Sequence, residues 1–162
     1  MDIYILRHGI AEEGRAGGRD SDRRLTEAGK ERLRTVLQLA RQGGVKLELI
    51  LTSPYIRAVE TADIAAEEFG YKSKILTTDS LLPGSEPNQV WEEIRVHRDA
   101  TSVLLAGHEP LLSRLAAYLL AAPSLEVDLK KGALVRIDVA QFGPAPRGVL
   151  RWMLVPKLAT PN

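Results

Sequence analysis

A short segment near the start of the chain, Leu6-Arg7-His8-Gly9, gathers three residue types suited to handling an anion. An arginine offers a planar fork of donors that matches phosphate oxygens. A histidine serves as a nucleophile or a proton carrier near neutral pH. A glycine lets backbone approach a bound group closely. On its own the tripeptide is equally compatible with a surface Arg-His pair at the start of a loop. Its setting says more, because it directly follows the apolar run Ile3-Tyr4-Ile5, which reads as a buried parallel strand. Two further sets recur in the same kind of place. Thr52-Ser53-Pro54 and Arg57 follow Leu47-Glu48-Leu49-Ile50-Leu51, and Gly107-His108-Glu109-Pro110 follows Val103-Leu104-Leu105-Ala106. In open α/β sheets ligands bind at the carboxyl ends of strands. Three predicted strand ends therefore carry Arg7 with His8, Arg57 one helical turn in, and His108.

The elements that must position these residues are legible from periodicity. Residues 2–7 predict the first strand. A polar loop rich in Gly and Arg runs from Gly9 to about Arg24. Thr26 is the expected cap of a helix with Glu27 in its first turn and Leu33, Val36, Leu37 and Ala40 on one face, ended by Gly43-Gly44. Residues 47–52 predict a second strand. Ser53 then reads as an N-cap with Pro54 at the first helical position, and the helix continues to about Phe69. Lys74 to Thr77 predicts a short strand, Leu81 to Pro87 a loop, and Asn88 to about Arg98 a helix with Val90, Trp91, Ile94 and Val96 inward. A strand at 102–106 and a helix from Pro110 to about Ala121 follow. Residues 133–139 and 149–155 alternate like an antiparallel pair joined by the turn Gly143 to Gly148. The expected fold class is α/β: a three-layer α/β/α sandwich with a mostly parallel mixed sheet. The tail from Pro156 to Asn162 is expected to be mobile.

At 162 residues the chain is expected to be one domain, spanning 1–162, with a real core. Apolar content is 44% and charged content 27%, ordinary for a globular protein. A net charge of +1 gives no sign of a polyanion partner, so no nucleic-acid partner is expected. With no cysteine there is no disulfide, thiolate catalysis or zinc-thiolate site. The apolar stretch 111–122, interrupted by Ser113 and Arg114, is too short to span a bilayer, and no signal peptide is visible. No membrane partner and a cytoplasmic location are expected.

Taken in order, Arg7-His8-Gly9, Arg23-Arg24-Leu25-Thr26-Glu27-Ala28-Gly29, Ser53-Pro54-Tyr55-Ile56-Arg57-Ala58 with Glu60-Thr61, and Gly107-His108-Glu109-Pro110 resemble the histidine phosphatase superfamily. This is the phosphoglycerate-mutase-like group. The short length and these motifs together look most like its SixA-type branch of small phosphohistidine phosphatases. The resemblance implies the phosphoglycerate-mutase-like fold and four phosphate-pocket positions, Arg7, His8, Arg57 and His108. Under it, His8 is the nucleophile of a covalent phosphohistidine intermediate that water hydrolyses. The tautomer of His8 would be set by a bond from its other ring nitrogen to a backbone carbonyl such as that of Gly9. Arg7, Arg57 and a protonated His108 would supply the positive charge that stabilises the transferring group, with no metal and no cofactor.

Further assignments stay open at the level of sequence. Arg23 takes the place of the arginine in the family's Arg-x-Leu-Thr pattern and is the candidate for reaching phosphate, with Arg24 its adjacent competitor. Gly9 and Ser53 are candidate substrate contacts, although Ser53 also serves as a helix cap. Glu86 is the only carboxylate in Leu82-Pro83-Gly84-Ser85-Glu86-Pro87. It is either a proton donor or simply the start of a helix. His97 sits in a charged helical stretch and reads as a surface residue. Glu109 reads as a pocket neighbour or a first-turn carboxylate. Without a strong acid, the pocket fits a phosphohistidine-containing protein, such as a phosphotransfer domain or phosphocarrier, better than an alcohol ester. The alternatives are a small-molecule phosphomonoesterase of the same superfamily and a non-catalytic phosphate-binding module.

Overall fold

The computed structural model describes residues 1–159. Successive side chains of a strand face opposite sides of the sheet, and the first strand, β1 (Asp2–Arg7), buries both sets. Ile3 and Ile5 enter one core, and Tyr4 and Leu6 enter another. The helices α1 (Glu27–Gln42) and α2 (Ile56–Phe69) cover the Tyr4 side with Leu33, Val36, Leu37, Ala62 and Ala65. The helices α3 (Pro87–Val96) and α4 (Leu111–Leu119) cover the Ile3 side with Val90, Trp91, Ile94, Leu112 and Leu115. The remaining strands are β2 (Leu49–Thr52), β3 (Leu76–Thr77), β4 (Ser102–Gly107), β5 (Leu134–Val139) and β6 (Gly148–Leu154).

The sheet runs β3-β2-β4-β1-β5-β6. Its first four strands are parallel, whereas β5 is antiparallel to β1 and β6 to β5. This is the three-layer α/β/α sandwich with a mostly parallel mixed sheet expected from the sequence. Register matters most for the site. Arg7 pairs with Gly107 across β1 and β4, and Thr52 pairs with Ala106 across β2 and β4. The three strands therefore end at one level.

Several local expectations shift. The second helix begins at Ile56, not at Pro54: Tyr55 is extended, and the Ser53 hydroxyl accepts from the Tyr55 N–H while lying against His108. Val96 is 76% exposed; two residues beyond buried Ile94, it lies roughly 200° further round the helix. Pro156–Ala159 is a short helix, α5, with Ala159 against the Tyr4-side core, in place of a mobile tail. The last three residues of that expected tail, 160–162, lie outside the described residues.

Two close backbone approaches hold the strand ends. Gly132, at φ 77°, donates its N–H to the carbonyls of both Arg7 and His8. Gly29 of α1 packs against the backbone of Ile10, so a Cβ there would stand 2.3 Å from the Ile10 oxygen. Replacing Gly29 by Ala gains about 0.5–1 kcal/mol of helix propensity. The clash costs more, since overpacking a tight site costs about 1–3 kcal/mol. Gly29→Ala is therefore expected to lower the urea midpoint. It should also reduce activity, because the displaced Ile10 adjoins His8-Gly9. A midpoint equal to wild type or higher would contradict this account of the packing.

Candidate active site

The level strand ends bring His8, Ser53 and His108 together. The His8 and His108 rings are 5.1 Å apart between centroids, and both residues are buried, at 6% and 1% exposure. His8 Nδ1 donates to the Gly9 carbonyl at 2.7 Å, a direction fixed because a carbonyl only accepts. That leaves Nε2 as the lone-pair nitrogen. Arg57 Nε donates to it at 3.3 Å. The His8 tautomer, with its lone pair on Nε2, is thus assigned by the hydrogen-bond network.

Arg57 lies in the first turn of α2 and is almost fully buried. Thr61, one turn on, accepts from the Gly9 N–H at 3.2 Å and donates to the Arg57 carbonyl at 2.7 Å, tying α2 to the β1 loop. Tyr55 flanks the cluster. Its ring is 5.1 Å from the His108 ring and 5.1 Å from the Arg57 guanidinium carbon. Arg7 Nη1 donates to the Leu129 carbonyl at 2.7 Å.

Ser53 Oγ lies 2.8 Å from His108 Nε2 and accepts from the Tyr55 N–H at 3.3 Å. The serine hydroxyl still has its hydrogen and a second lone pair to offer; in the tautomer in which it donates to His108 Nε2, the ring carries its proton on Nδ1. His108 Nδ1 and Arg7 Nε have no hydrogen-bond partner within the protein. In that tautomer both are buried donors left unpaired, which is costly, and both belong to one cluster. Both are suited to an anion's oxygens.

Both imidazoles are neutral at pH 7. Burial pushes His8 down to about 4, with Arg57, Arg7 and Lys131 adding to the effect and the Gly9 bond opposing it. Burial, then His8 and Arg57, bring His108 down to about 3. The protonated His108 expected from the sequence is therefore neutral here, because desolvation and neighbouring cations disfavour its charge. Lys131, exposed in the turn before Gly132, is a cation that the sequence reading missed.

The remaining candidates sit further out. Arg23 donates from Nε to the Glu12 carbonyl and from Nη1 to Asp20, and neither bond involves the histidines. Arg24 pairs with Glu60, which also accepts from the Leu25 N–H. Glu86 caps α3 through a capping box with Gln89 and forms an ion pair with Arg114. It faces a groove of about 540 Å³ shared with Pro87, Ser113, Arg114 and Tyr118 rather than with His8 or His108. Glu109 accepts from the Ser113 N–H at the start of α4. His97, the C-cap of α3, lies beside Glu93. Asp20, which the sequence reading passed over, bonds directly to Arg57. Among the described residues, no group of three or more His, Cys, Asp or Glu side chains is arranged to hold a metal ion.

Comparison with known proteins adds a second line. Residues 3–81 match the family model described as the histidine phosphatase superfamily, branch 1. The chain is 30% identical to a phosphohistidine phosphatase SixA homolog of Haemophilus influenzae, over 74% of this chain and 77% of that one. It is 25% identical to phosphohistidine phosphatase SixA of Escherichia coli, over 96% of this chain and 94% of that one. The structure of the protein histidine phosphatase SixA complexed with tungstate superposes with a TM-score of 0.89 at 25% identity, covering 99% of this chain and 100% of that one.

The buried neutral imidazoles make a thermodynamic prediction. The unfolded chain protonates them near pH 6.5, whereas the folded chain resists until about 4 for His8 and about 3 for His108. Between those values the unfolded state binds more protons, so stability falls as pH drops below about 6.5. The pair is expected to cost a few kcal/mol on going from pH 7 to pH 4. Urea midpoints at both pH values, for wild type and for a His8→Gln/His108→Gln variant, test this. The variant should lose distinctly less stability than wild type; an equal loss would contradict it.

Proposed function

The chain belongs to the histidine phosphatase superfamily, and on that premise we propose that it is a metal-independent phosphohistidine protein phosphatase acting through a covalent intermediate on His8. The observation that carries the proposal is the state of His8: buried and neutral, with its proton held on Nδ1 by Gly9 and Nε2 facing Arg57. The likeness to SixA proteins of two species supports it.

In the first step the His8 Nε2 lone pair attacks phosphorus. The substrate's P–N bond breaks, and its electrons return to the leaving imidazole. With its other nitrogen already protonated, that imidazole departs neutral. In the second step water attacks phosphorus and the Nε2–P bond breaks. The water's proton ends on phosphate or in solvent. Arg7, Arg57 and the His108 Nδ1–H stabilise the charge on the transferring oxygens. Ser53 positions His108 rather than touching substrate, and Gly9 acts through the His8 tautomer.

The carboxylates favour a phosphoramidate over an alcohol ester. An alkoxide leaving group needs a proton donor. Glu86 is committed to Arg114 and the α3 cap, Glu109 to α4, and Asp20 to two arginines. Each is engaged as a hydrogen-bond acceptor. The substrate in this reading is a phosphohistidine-containing protein. Residues 1–162 are taken as one catalytic domain. No helix among the described residues is long and apolar enough to cross a membrane, and the cytoplasmic location expected from the sequence is part of the proposal.

The test is hydrolysis of a phosphohistidine protein beside p-nitrophenyl phosphate, with a chelator present. The protein substrate should turn over faster than the ester. His8→Ala should abolish both reactions, and Glu86→Gln should retain activity within about twofold, since general-acid loss costs on the order of 100-fold or more. A preference for the ester together with a large Glu86→Gln defect would favour a small-molecule phosphomonoesterase. Phosphate binding without turnover would favour a binding module.

A further inference from the structure

The loop between β1 and α1 sends one residue back to the site. Asp20 begins a short 3-10 turn, Asp20–Asp22, and meets Arg57 twice. Arg57 Nη1 donates to the Asp20 carbonyl at 2.6 Å, and Nη2 donates to Asp20 Oδ2 at 2.8 Å. The other carboxylate oxygen, Oδ1, accepts from Arg23 Nη1 at 2.9 Å. Arg23 is itself anchored by Nε to the Glu12 carbonyl at 2.7 Å. The Arg57 side chain is 6% exposed and that of Asp20 is 56% exposed.

A guanidinium has five N–H donors in one plane. Asp20 takes one hydrogen from each of Nη1 and Nη2, along the end of the fork. Nε–H, with the second hydrogen of Nη2 on the same edge, faces His8 Nε2. The edge that Asp20 occupies is therefore not the edge a phosphoryl group on His8 would use. Asp20 leaves free the donor that faces His8, Arg57 Nε–H, while its carboxylate is near enough to act electrostatically on His108. We propose that Asp20 is a positioning residue for Arg57: it fixes the plane of the guanidinium so that the Nε edge points at the reacting phosphoryl group, and Arg23 holds Asp20 in place. The inference rests on the assignment of His8 and Arg57 made above. It gives Arg23 a function through Asp20 without contact to phosphate. Its two arginine partners keep the Asp20 carboxyl below the usual carboxylate range and so ionised, as the contacts require. Rotation of an unsupported guanidinium is the expected cost of losing it, and misplacing a charge-stabilising group by about 1 Å costs on the order of 100-fold.

The test combines kinetics with binding of inorganic phosphate measured by calorimetry. Asp20→Ala should lower kcat/KM by about tenfold to 100-fold, mainly through kcat, and should weaken phosphate binding. Asp20→Asn, whose amide oxygen still accepts from Nη2, should recover part of the loss. Asp20→Ala in an Arg57→Ala background should add little to the single Arg57→Ala defect, because the two act as one unit. A residue that merely braces the loop would not show that dependence on Arg57. Two results overturn the proposal: Asp20→Ala binding phosphate as tightly as wild type or tighter, or its full defect persisting without Arg57. Phosphate binding separates this inference from the reaction itself. A wild type that binds phosphate but hydrolyses neither substrate refutes the phosphatase reading and still reads out Asp20.

Discussion

In-register pairing of β1 with β4, from Asp2 opposite Ser102 to Arg7 opposite Gly107, sets the separation of the two histidines on which the site depends. Each histidine is the first residue after its strand. The neighbouring register, with Thr52 opposite Ala106, adds Ser53 at the same level. One residue of slip would turn each of these side chains toward the other face of the sheet. The slip is resisted by two apolar cores, because Ile3 and Ile5 would have to exchange places with Tyr4 and Leu6. Burial energy spread over the whole sheet thus holds a small polar cluster to its geometry.

That cluster is electrostatically one-sided. Arg7, Arg57 and Lys131 act on His8, and burial keeps both imidazoles neutral. A neutral His8 has the free lone pair that nucleophilic attack requires. A neutral His108 still donates from Nδ1 in the tautomer in which Ser53 donates to its Nε2. In the proposed reaction, charge for stabilising a phosphoryl group comes from arginines, which stay protonated wherever they are placed. The carboxylates nearby are each tied to a cation or a backbone N–H. Asp20, Glu86 and Glu109 orient and cap.

Much of this was legible in the sequence, for identifiable reasons. Strand ends follow from apolar runs, and the residue types just after them name the chemistry, so Arg7, His8 and His108 stand out together. The order of helices and strands followed from periodicity. What the sequence hid were contacts made across long separations. Ser53 before Pro54 carries the local signal of a helix cap, yet its hydroxyl serves His108, 55 residues away. Asp20 sits in a polar loop indistinguishable from solvated charge, and only the fold brings it to Arg57. Tyr55 and Thr61 fall within a motif that carried the resemblance, but nothing in the motif says that Tyr55 flanks His108 or that Thr61 ties α2 to the β1 loop. Arg23 matched a family position, but the pattern does not say whether such an arginine acts directly or through a carboxylate. Val96 shows the opposite failure, an apolar residue read as inward that the helix turns to solvent.

The central claim is that the phosphoryl group passes through Nε2 of His8. Rapid quenching of the enzyme with a phosphohistidine protein, followed by phosphorus NMR and peptide mapping of the denatured chain, tests it most directly. The account predicts an acid-labile phosphohistidine on His8, attached at Nε2 and absent from His8→Ala. Turnover with no phosphoenzyme at any quench time, or phosphate found at Nδ1 or on another residue, would contradict it.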